Sequence, residues 1–477
     1  MRGRTAPLRI LCYAVNGLGL GHLTRLVAIC RQIRRLTTAL GLPTEILFLT
    51  SSEGEALAGL HGFATFKIPS KTQANACELD PHRYRKIARQ WIWNAANLIS
   101  PDLLLVDTFP AGSFNELPGL LDLGTKNAFI YRDVRPEVAS QPTFQSALGL
   151  YQLILRLDEG DGEPAAGTVP DELEDRMTTV GPVLLRSAAE TYDRAAAREM
   201  LGLPADGSVV YVSTGGGGDR DAEELLRDLV TAAAALPDVR FVIGAGLLYR
   251  GREWAAPNVS WTRRPVLVEC FRAFDAAITA GGFNTVWELM HCGVPCLFLP
   301  RPRGWDDQEA RVTRCIEAGA GTLLPSREPE AIAAALRELL AGDTRERSAA
   351  AAFRLLPRNH ALSAAEEILS LVVDRNRVEE AALLVEPGPL FAAERGGIPE
   401  RDLLQVAALI LAKTAGARDA GHAEASVTAG MHLLRHLLDH GAGVRHALSA
   451  LKKTERCATP DEVEAGAIRI WEEGRQL

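Results

Sequence analysis

The chain has 477 residues, of which 47% are hydrophobic and 23% are charged, a composition typical of globular proteins that excludes wholesale disorder. At roughly 150 residues per domain, this length excludes a single small domain. The formal net charge of -8 argues against nucleic acid as the main partner, because phosphate backbones attract basic surfaces. Residues 1–150 nevertheless hold 16 Lys and Arg against 11 Asp and Glu, so this part can meet an anionic ligand or surface.

Up to about residue 185, short apolar runs alternate with segments of helical periodicity. Apolar residues between Leu23 and Ile33 recur on one helical face, just after a glycine-rich turn. The predicted strands are residues 8–15, 45–50, 101–107 and 127–131. Such alternation is typical of a parallel sheet covered by helices. The acidic, Gly- and Pro-rich residues 158–170 and the pair Gly181-Pro182 indicate a domain boundary near residue 185.

A second series of the same kind follows this boundary. Its predicted strands are residues 209–213, 240–244, 276–279 and 296–299. From about residue 377 the pattern is helical, with apolar runs at 403–411 and 431–438. The sequence therefore predicts an α/β fold of two similar halves facing a cleft, residues 1–185 and 186–376, and an all-helical C-terminal extension, residues 377–477.

The first glycine turn, residues 17–22, connects the first predicted strand to the first predicted helix. Its glycines are Gly17, Gly19 and Gly21. They let a ligand approach the backbone, and the helix start offers free N–H groups to an anion. A dinucleotide-binding turn would have glycine in place of His22 and an acidic residue near residues 50–51, which are Thr and Ser. We therefore do not expect an NAD site here.

His22 ends this turn, where an imidazole that titrates near neutral pH can remove a proton from a substrate hydroxyl. The alternative is a histidine that only caps the helix start. Asp107 ends a predicted strand, so it lies at the sheet edge where open α/β folds bind ligands. Its carboxylate either orients His22 and stabilises its cation or simply caps the next element.

The second glycine turn, residues 213–218, also follows a predicted strand and precedes a helix. Its candidate ligand-binding residues are Ser213, Thr214, Gly215 and Gly216. Glycines and hydroxyls together suit a phosphate cradle. No Gly-Lys-Ser/Thr follows, so this is not a Walker loop, and a flexible surface turn is the alternative.

The third glycine turn, residues 279–285, opens a helix that carries Glu288. Its candidate ligand-binding residues are Gly281, Gly282, Phe283, Asn284 and Thr285. Backbone N–H groups at a helix start bind anions. A carboxylate one turn further along can accept hydrogen bonds from both vicinal hydroxyls of a ribose, although Glu288 taken alone is equally well a helix-surface acid.

Taken together, these motifs resemble a known family. GLGLGHLTR, TAGGFNTVWEL, and HCGVPCLFLPRPRGWDDQEARV followed by GAG are similar to the GT-B glycosyltransferases related to MurG, over residues of about 8–370. DTFPAG and YRDV resemble segments of an uncharacterised branch of that family. The resemblance implies two Rossmann-like domains, the N-terminal one binding the acceptor and the C-terminal one binding a nucleotide sugar, usually a UDP-sugar.

Position by position, the resemblance implies roles for individual residues. The acceptor-side loop contains Gly17, Gly19, Gly21, Arg25 and His22, the candidate base. Asn284 and Thr285 match phosphate contacts, and Glu288 matches the glutamate that holds the ribose. Asp307 and Gln308 match the segment that binds the donor sugar. Arg264 and Val266 lie in the segment that binds the nucleobase edge, but its sequence RPVL departs from the family pattern and leaves the base open.

The implied reaction is attack by an acceptor oxygen or nitrogen on the anomeric carbon, with inversion and with His22 assisting deprotonation. Helix N-termini and glycine turns would stabilise the leaving diphosphate, so neither a metal nor another cofactor is expected. Two alternatives stay open. One is a nucleotide-sugar hydrolase or epimerase on the same fold, and the other is a non-catalytic module that binds sugar nucleotides.

Two weaker features lie outside these motifs. Residues 82–93 mix four basic residues with aromatic ones and form either a face for an anionic acceptor or membrane lipid or an ordinary surface helix. His432, His436 and His440 share one predicted helical stripe, for which a solvated or interface position is favoured over a metal site.

The scattered cysteines indicate a reducing compartment, and no apolar stretch reaches the roughly 18 residues that span a bilayer. We therefore expect a cytoplasmic protein, soluble or peripheral to the inner face of the membrane. The expected partners are a nucleotide sugar and either a small-molecule or a lipid-linked acceptor, and the oligomeric state stays open.

Overall fold

The computed structural model describes residues 6–15, 19–107, 109–121, 124–160, 169–217, 222–246, 248–301, 306–385, 465 and 468. The chain divides into two compact units. The larger unit contains Leu11–Ala28 and Ile46–Ala361, and the smaller unit contains Met1–Ile10, Ile29–Glu45 and Leu362–Leu477.

Seven strands form the first sheet. They are β1 (Leu8–Ala14), β2 (Thr44–Thr50), β3 (Ala64–Lys67), β4 (Leu103–Asp107), β5 (Lys126–Arg132), β6 (Leu153–Leu157) and β7 (Met177–Val180). Their order is β3-β2-β1-β4-β5-β6-β7, and the pairs β2–β3, β4–β5, β5–β6 and β6–β7 are parallel. The strand order reverses between β1 and β4, and such a reversal is where open α/β sheets bind ligands.

Six strands form the second sheet. They are β8 (Ser208–Ser213), β9 (Val239–Gly244), β10 (Val259–Thr262), β11 (Ala276–Thr279), β12 (Cys296–Phe298) and β13 (Gly321–Leu323). Their order is β10-β9-β8-β11-β12-β13, and all five neighbouring pairs are parallel. The strand order reverses here between β8 and β11.

Helices connect the strands in both sheets. They are α1 (Gly21–Ala39), α2 (Ala56–Leu60), α3 (Lys71–Ala76), α4 (Pro81–Ile99), α5 (Pro118–Leu121), α6 (Pro136–Ala139), α7 (Pro142–Leu148), α8 (Arg194–Met200), α9 (Ala222–Ala233), α10 (Phe283–His291), α11 (Gln308–Glu317), α12 (Pro329–Leu340), α13 (Gly342–Leu355), α14 (Ala361–Leu369) and α15 (Arg375–Leu384). Short 3-10 helices are Asp171–Arg176, Ala188–Glu190 and Leu267–Ala273.

Each sheet contributes alternate side chains to an apolar core. In the first sheet, Leu11, Val106 and Phe129 are at most 1% exposed and share a cluster with Ile92 of α4. The corresponding core of the second sheet is formed by Val210, Ile243, Ile278, Leu226 of α9 and Leu336 of α12. Strands that are buried on both faces read as continuous apolar runs, which is the pattern that predicts a parallel sheet.

The predicted α/β class with two parallel-sheet halves is confirmed. Every predicted strand has a counterpart whose bounds differ by two residues or fewer, and the strands β3, β6, β7, β10 and β13 were missed. The boundaries at residues 185 and 376 stay predictions. The apolar runs 403–411 and 431–438 and the stripe of His432, His436 and His440 lie outside the described residues.

A buried ion network in the larger unit joins the segment after β6 to α10 and α11. Glu159 is 6% exposed and accepts hydrogen bonds from Nε and Nη2 of Arg311 and, at 2.9 Å, from Nε1 of Trp287. Arg311 also donates to Asp306 and to the carbonyl of Gly281, each at 2.9 Å. Burial alone would raise the pKa of Glu159, but Arg311 lowers it below its ordinary value.

This network predicts a large stability cost when its cation is removed. We expect Arg311→Leu to lower the free energy of unfolding by about 3–5 kcal/mol, because the carboxylate of Glu159 would stay buried without the cation that binds it. Urea denaturation monitored by fluorescence measures the change. The matched control is Arg227→Leu on α9, whose side chain is 51% exposed, with an expected change within about 0.5 kcal/mol. Equal effects of the two variants would show that the network does not stabilise the fold.

Candidate active site

One cavity of about 580 Å³ in the larger unit collects most of the predicted site residues. Segments at the carboxyl ends of β1, β4 and β5 line it, together with segments at the carboxyl ends of β8, β9, β10 and β11. The predicted residues that line it are Gly19, Gly21, His22, Arg25, Ser213, Thr214, Gly215, Gly216, Arg264, Val266, Gly282, Phe283, Asn284, Thr285, Glu288 and Gln308. The cavity thus lies at the sheet edges where open α/β folds bind ligands.

His22, Asp107 and Arg25 form a hydrogen-bonded group on one wall. His22 Nδ1 lies 2.5 Å from Asp107 Oδ1, and Arg25 binds the same carboxylate through Nε at 2.9 Å and Nη2 at 2.6 Å. The side chain of His22 is 12% exposed, whereas that of Asp107 is fully buried. Asp107 therefore lies behind His22, and its acceptor character assigns the proton to Nδ1, which leaves Nε2 as the basic nitrogen.

Burial and charge adjust the protonation of this group in opposite directions. Burial lowers the pKa of His22 below its ordinary value, although the hydrogen bond that His22 donates to Asp107 opposes part of the shift. Burial alone would raise the pKa of Asp107, but Arg25 and His22 hold it well below its usual range. At neutral pH the group therefore combines a neutral imidazole with a carboxylate and a guanidinium, the state in which an imidazole can accept a proton.

The start of α10 lies open to the same cavity. Gly282 precedes the helix with extended backbone angles and makes no side-chain capping bond, so the first-turn N–H groups of the helix have no intrahelical acceptor. Two buried oxygens nearby, Oγ1 of Thr214 and Oδ1 of Asn284, have no hydrogen-bond partner. Unpartnered polar atoms in a cavity are the usual mark of a ligand site.

The second glycine turn approaches the loop after β9 too closely for side chains. Gly215 has φ +89°, and a Cβ on Gly246, with φ +70°, would lie 2.6 Å from the Gly216 backbone. Only glycine tolerates both the positive φ and this contact. The close approach keeps backbone, rather than side chains, at this wall of the cavity.

Glu288 lies on the second turn of α10, where burial raises the pKa of its carboxyl to about 8. A hydrogen bond from the backbone of Leu185 and the charge of Arg186 oppose this rise only in part. An empty cavity therefore contains a mostly protonated Glu288 at neutral pH, and a ligand that prefers the carboxylate must displace a proton.

Besides Asp107, two predicted site residues are not among those that line the cavity, and a third lies outside the described residues. The carboxylate of Asp307 accepts a hydrogen bond from the Ala310 N–H and caps α11, while the preceding Asp306 lines the cavity, and the role of Asp307 toward the donor sugar stays a prediction. Gly281 does not line the cavity either; its φ of +92° turns the chain and its carbonyl accepts from Arg311. Gly17 lies outside the described residues.

Several lining residues were not predicted, including Phe109, Arg132, Tyr211 and Asp306. Arg132 ends β5, one residue beyond the predicted strand. The rule that ligand sites form at the carboxyl ends of parallel strands would therefore have identified it. Asp306 could not be identified in this way, because the sequence does not determine which acid of the run WDDQ caps the helix and which one lines the cavity.

Of the two weaker features, only residues 82–93 are described, and both alternatives for them stay open. On α4, Ile87 and Trp91 are more than half exposed, whereas Tyr84 and Ile92 are buried. His291 accepts from the Ala188 N–H and lies 2.7 Å from the Leu356 carbonyl, which fits a packing role. Within the described ranges, no three His, Cys, Asp or Glu side chains form a metal-binding group, and none of the helices found there has the length and apolar character to cross a membrane.

Comparison with known proteins points to glycosyltransferases. Residues 264–369 match the glycosyltransferase family 28 C-terminal domain. A segment of 222 residues is 27% identical to the UDP-N-acetylglucosamine–N-acetylmuramyl-(pentapeptide) pyrophosphoryl-undecaprenol N-acetylglucosamine transferase of Rhodococcus erythropolis, covering 44% of this chain and 56% of that protein. The chain thus spans about half the length of that relative. The Nocardia farcinica protein of the same name is 24% identical over 65% of this chain and 81% of its own.

Solved structures share the fold. The glycotransferase of kitacinnamycin superposes with a TM-score of 0.53 at 20% identity, covering 76% of this chain and 99% of that one. Phytolacca americana UGT2, complexed with UDP-2-fluoro-glucose and pterostilbene, gives a TM-score of 0.54 at 16% identity over 77% and 99%. The predicted resemblance is confirmed: residues 264–369 match the family 28 C-terminal domain, parts of the chain are similar to the transferases named above, and the solved glycosyltransferases share the fold.

Proposed function

We propose that this protein is a glycosyltransferase that moves a sugar from a nucleoside diphosphate sugar, expected to be UDP-linked, to the hydroxyl or amine of an acceptor. One observation carries the proposal: His22, with Asp107 hydrogen-bonded behind it, and the open start of α10 line the same cavity. A base and an anion-binding helix start are the two components that displacement of a diphosphate requires.

The donor side of the proposal rests on α10 and the second glycine turn. The first-turn N–H groups of α10 and the backbone of residues 213–216 would bind the two phosphates, because fixed N–H dipoles stabilise a leaving diphosphate without reorganisation. Glu288 would accept hydrogen bonds from the ribose hydroxyls, as the family resemblance implies. Arg264 and Val266 line the part of the cavity that the resemblance assigns to the nucleobase.

The chemical step would be a single displacement. An acceptor oxygen or nitrogen forms a bond to the anomeric carbon while the bond from that carbon to the diphosphate oxygen breaks, and the acceptor proton passes to Nε2 of His22. Attack from the face opposite the leaving group inverts the anomeric configuration. Asp107 stabilises the imidazolium that forms, and backbone N–H groups take up the charge of the diphosphate, so a metal is not required.

The donor assignment predicts a pH-dependent affinity for nucleoside diphosphates. Two ribose hydroxyls donate to the ionised form of Glu288, so affinity should rise as the pH increases from 6 to about 8, the pKa of the empty site. Calorimetric titration with UDP, dTDP and GDP measures it. Glu288→Gln is the matched control, because it keeps the shape of the protonated acid and removes its titration. An identical pH dependence in both proteins would contradict the ribose assignment.

The base assignment predicts a pH profile and a specific loss. Transfer by the wild-type protein should lose activity only as the pH falls below His22's lowered pKa, so the midpoint of the acidic limb should lie below 6.5. We expect His22→Ala to reduce kcat by about 100-fold or more and to leave the affinity for the donor nucleotide within about twofold. Parent-like turnover by this variant would contradict the assignment, and sugar release without acceptor would indicate a hydrolase.

A further inference from the structure

Arg132 makes fewer described hydrogen bonds to carboxylates than the two arginines beside it in the candidate active site. Of the three described arginines whose guanidinium carbons lie within 6.0 Å of the Phe283 ring centre, Arg25 binds Asp107 through two nitrogens, and Arg311 binds Glu159, Asp306 and a carbonyl. Arg132 donates from Nη1 to Asp306 at 2.7 Å. Its Nε is buried and has no hydrogen-bond partner.

The carboxylate beside Arg132 is shared. The same oxygen, Oδ1 of Asp306, accepts from Nη1 of Arg132 and from Nη2 of Arg311. One negative charge therefore serves two cations, and Arg311 has Glu159 in addition. Burial lowers the pKa of Arg132, and the charge of Asp306 opposes this shift only in part, whereas Glu159 and Asp306 raise the pKa of Arg311 above its ordinary value. Arg132 therefore shares its described carboxylate partner with a second cation.

The guanidinium of Arg132 lies close to the start of α10. Arg132 is 6% exposed yet lines the cavity, and its guanidinium carbon lies 6.0 Å from the ring centre of Phe283, the first residue of the helix. The unpartnered oxygen of Asn284 belongs to the same helix turn. A buried N–H without a partner is costly, and an anion at the helix start would supply the missing acceptor.

We propose that Arg132, contributed by the first sheet, is a binding residue for the diphosphate of the nucleotide donor, opposite the N–H groups of α10. The inference rests on the proposed function and deepens it, since it assigns a phosphate contact to the half of the protein that is expected to bind the acceptor. A nucleoside diphosphate would then bridge β5 and α10, and the nucleoside alone would not.

Binding of a nucleoside diphosphate and of its nucleoside separates this role from a structural one. Calorimetry would compare UDP with uridine, dTDP with thymidine and GDP with guanosine on wild type and Arg132→Gln. We expect Arg132→Gln to lower the affinity for the nucleoside diphosphate by about 10-fold or more, as for a lost charged hydrogen bond. The affinity for the nucleoside should change by no more than about twofold. Arg132→Lys, which keeps the charge, should retain part of the affinity.

Two further variants control for the fold. Arg156→Gln removes another buried, ion-paired arginine from the neighbouring strand β6, away from the cavity, and should leave the ratio of the two affinities unchanged. Asp306→Asn removes the partner of Arg132 but keeps the cation, so diphosphate affinity should be retained or increased.

Three results would overturn the assignment. The first is that Arg132→Gln loses equal affinity for diphosphate and nucleoside, and the second is that it loses affinity for neither. The third is that Asp306→Asn loses as much diphosphate affinity as Arg132→Gln does. If the wild-type protein bound none of the nucleoside diphosphates, the proposed function itself would fail. This outcome is distinct, because the other three require a wild-type protein that binds a nucleoside diphosphate.

Discussion

Compensation of buried charge is the constraint on which the rest of the site depends. Three guanidinium groups surround one phenyl ring at the start of α10, and bringing like charges together in a cavity wall is costly unless carboxylates accompany them. Asp107, Asp306 and Glu159 fulfil that need from separate segments of the chain. Each ion pair joins residues distant in sequence, so the pairs that neutralise the cations also fix the loops that carry them.

Much of the architecture follows from local sequence. Strands buried on both faces, such as LLLVD at β4, have apolar runs that predict them directly, and the glycine turns after β1, β8 and β11 locate the points where backbone must approach a ligand. Residues at and just after these turns form a substantial part of the cavity lining, including His22, Thr214, Asn284 and Glu288. The prediction succeeded there because one segment of chain contains both the strand and the turn that follows it.

The missed elements depend on contacts that no local window contains. β6 carries Arg156, a buried charge that interrupts its apolar run and pairs with Asp133 at 2.7 Å and with Asp158 at 3.6 Å. β10 and β13 consist of three or four residues each and take their place from parallel pairing with neighbours. The placement of Asp307 at the start of α11, with Asp306 lining the cavity, has the same origin, since either acid of the WDDQ run can cap α11 by sequence alone.

The same physical cause adjusts the two titratable groups that face the cavity, and it does so in opposite directions. Burial disfavours any charge, so it raises the pKa of Glu288 and lowers that of His22, and both are mostly neutral when the cavity is empty. The guanidinium groups cannot respond in this way, because arginine stays protonated. In an empty site, Glu288 and His22 are therefore uncharged, while Arg132 and Asp306 stay ionised as a pair. When a nucleoside diphosphate binds, Glu288 would lose its proton as it accepts hydrogen bonds from the ribose. His22 would stay neutral until it takes the proton of the acceptor.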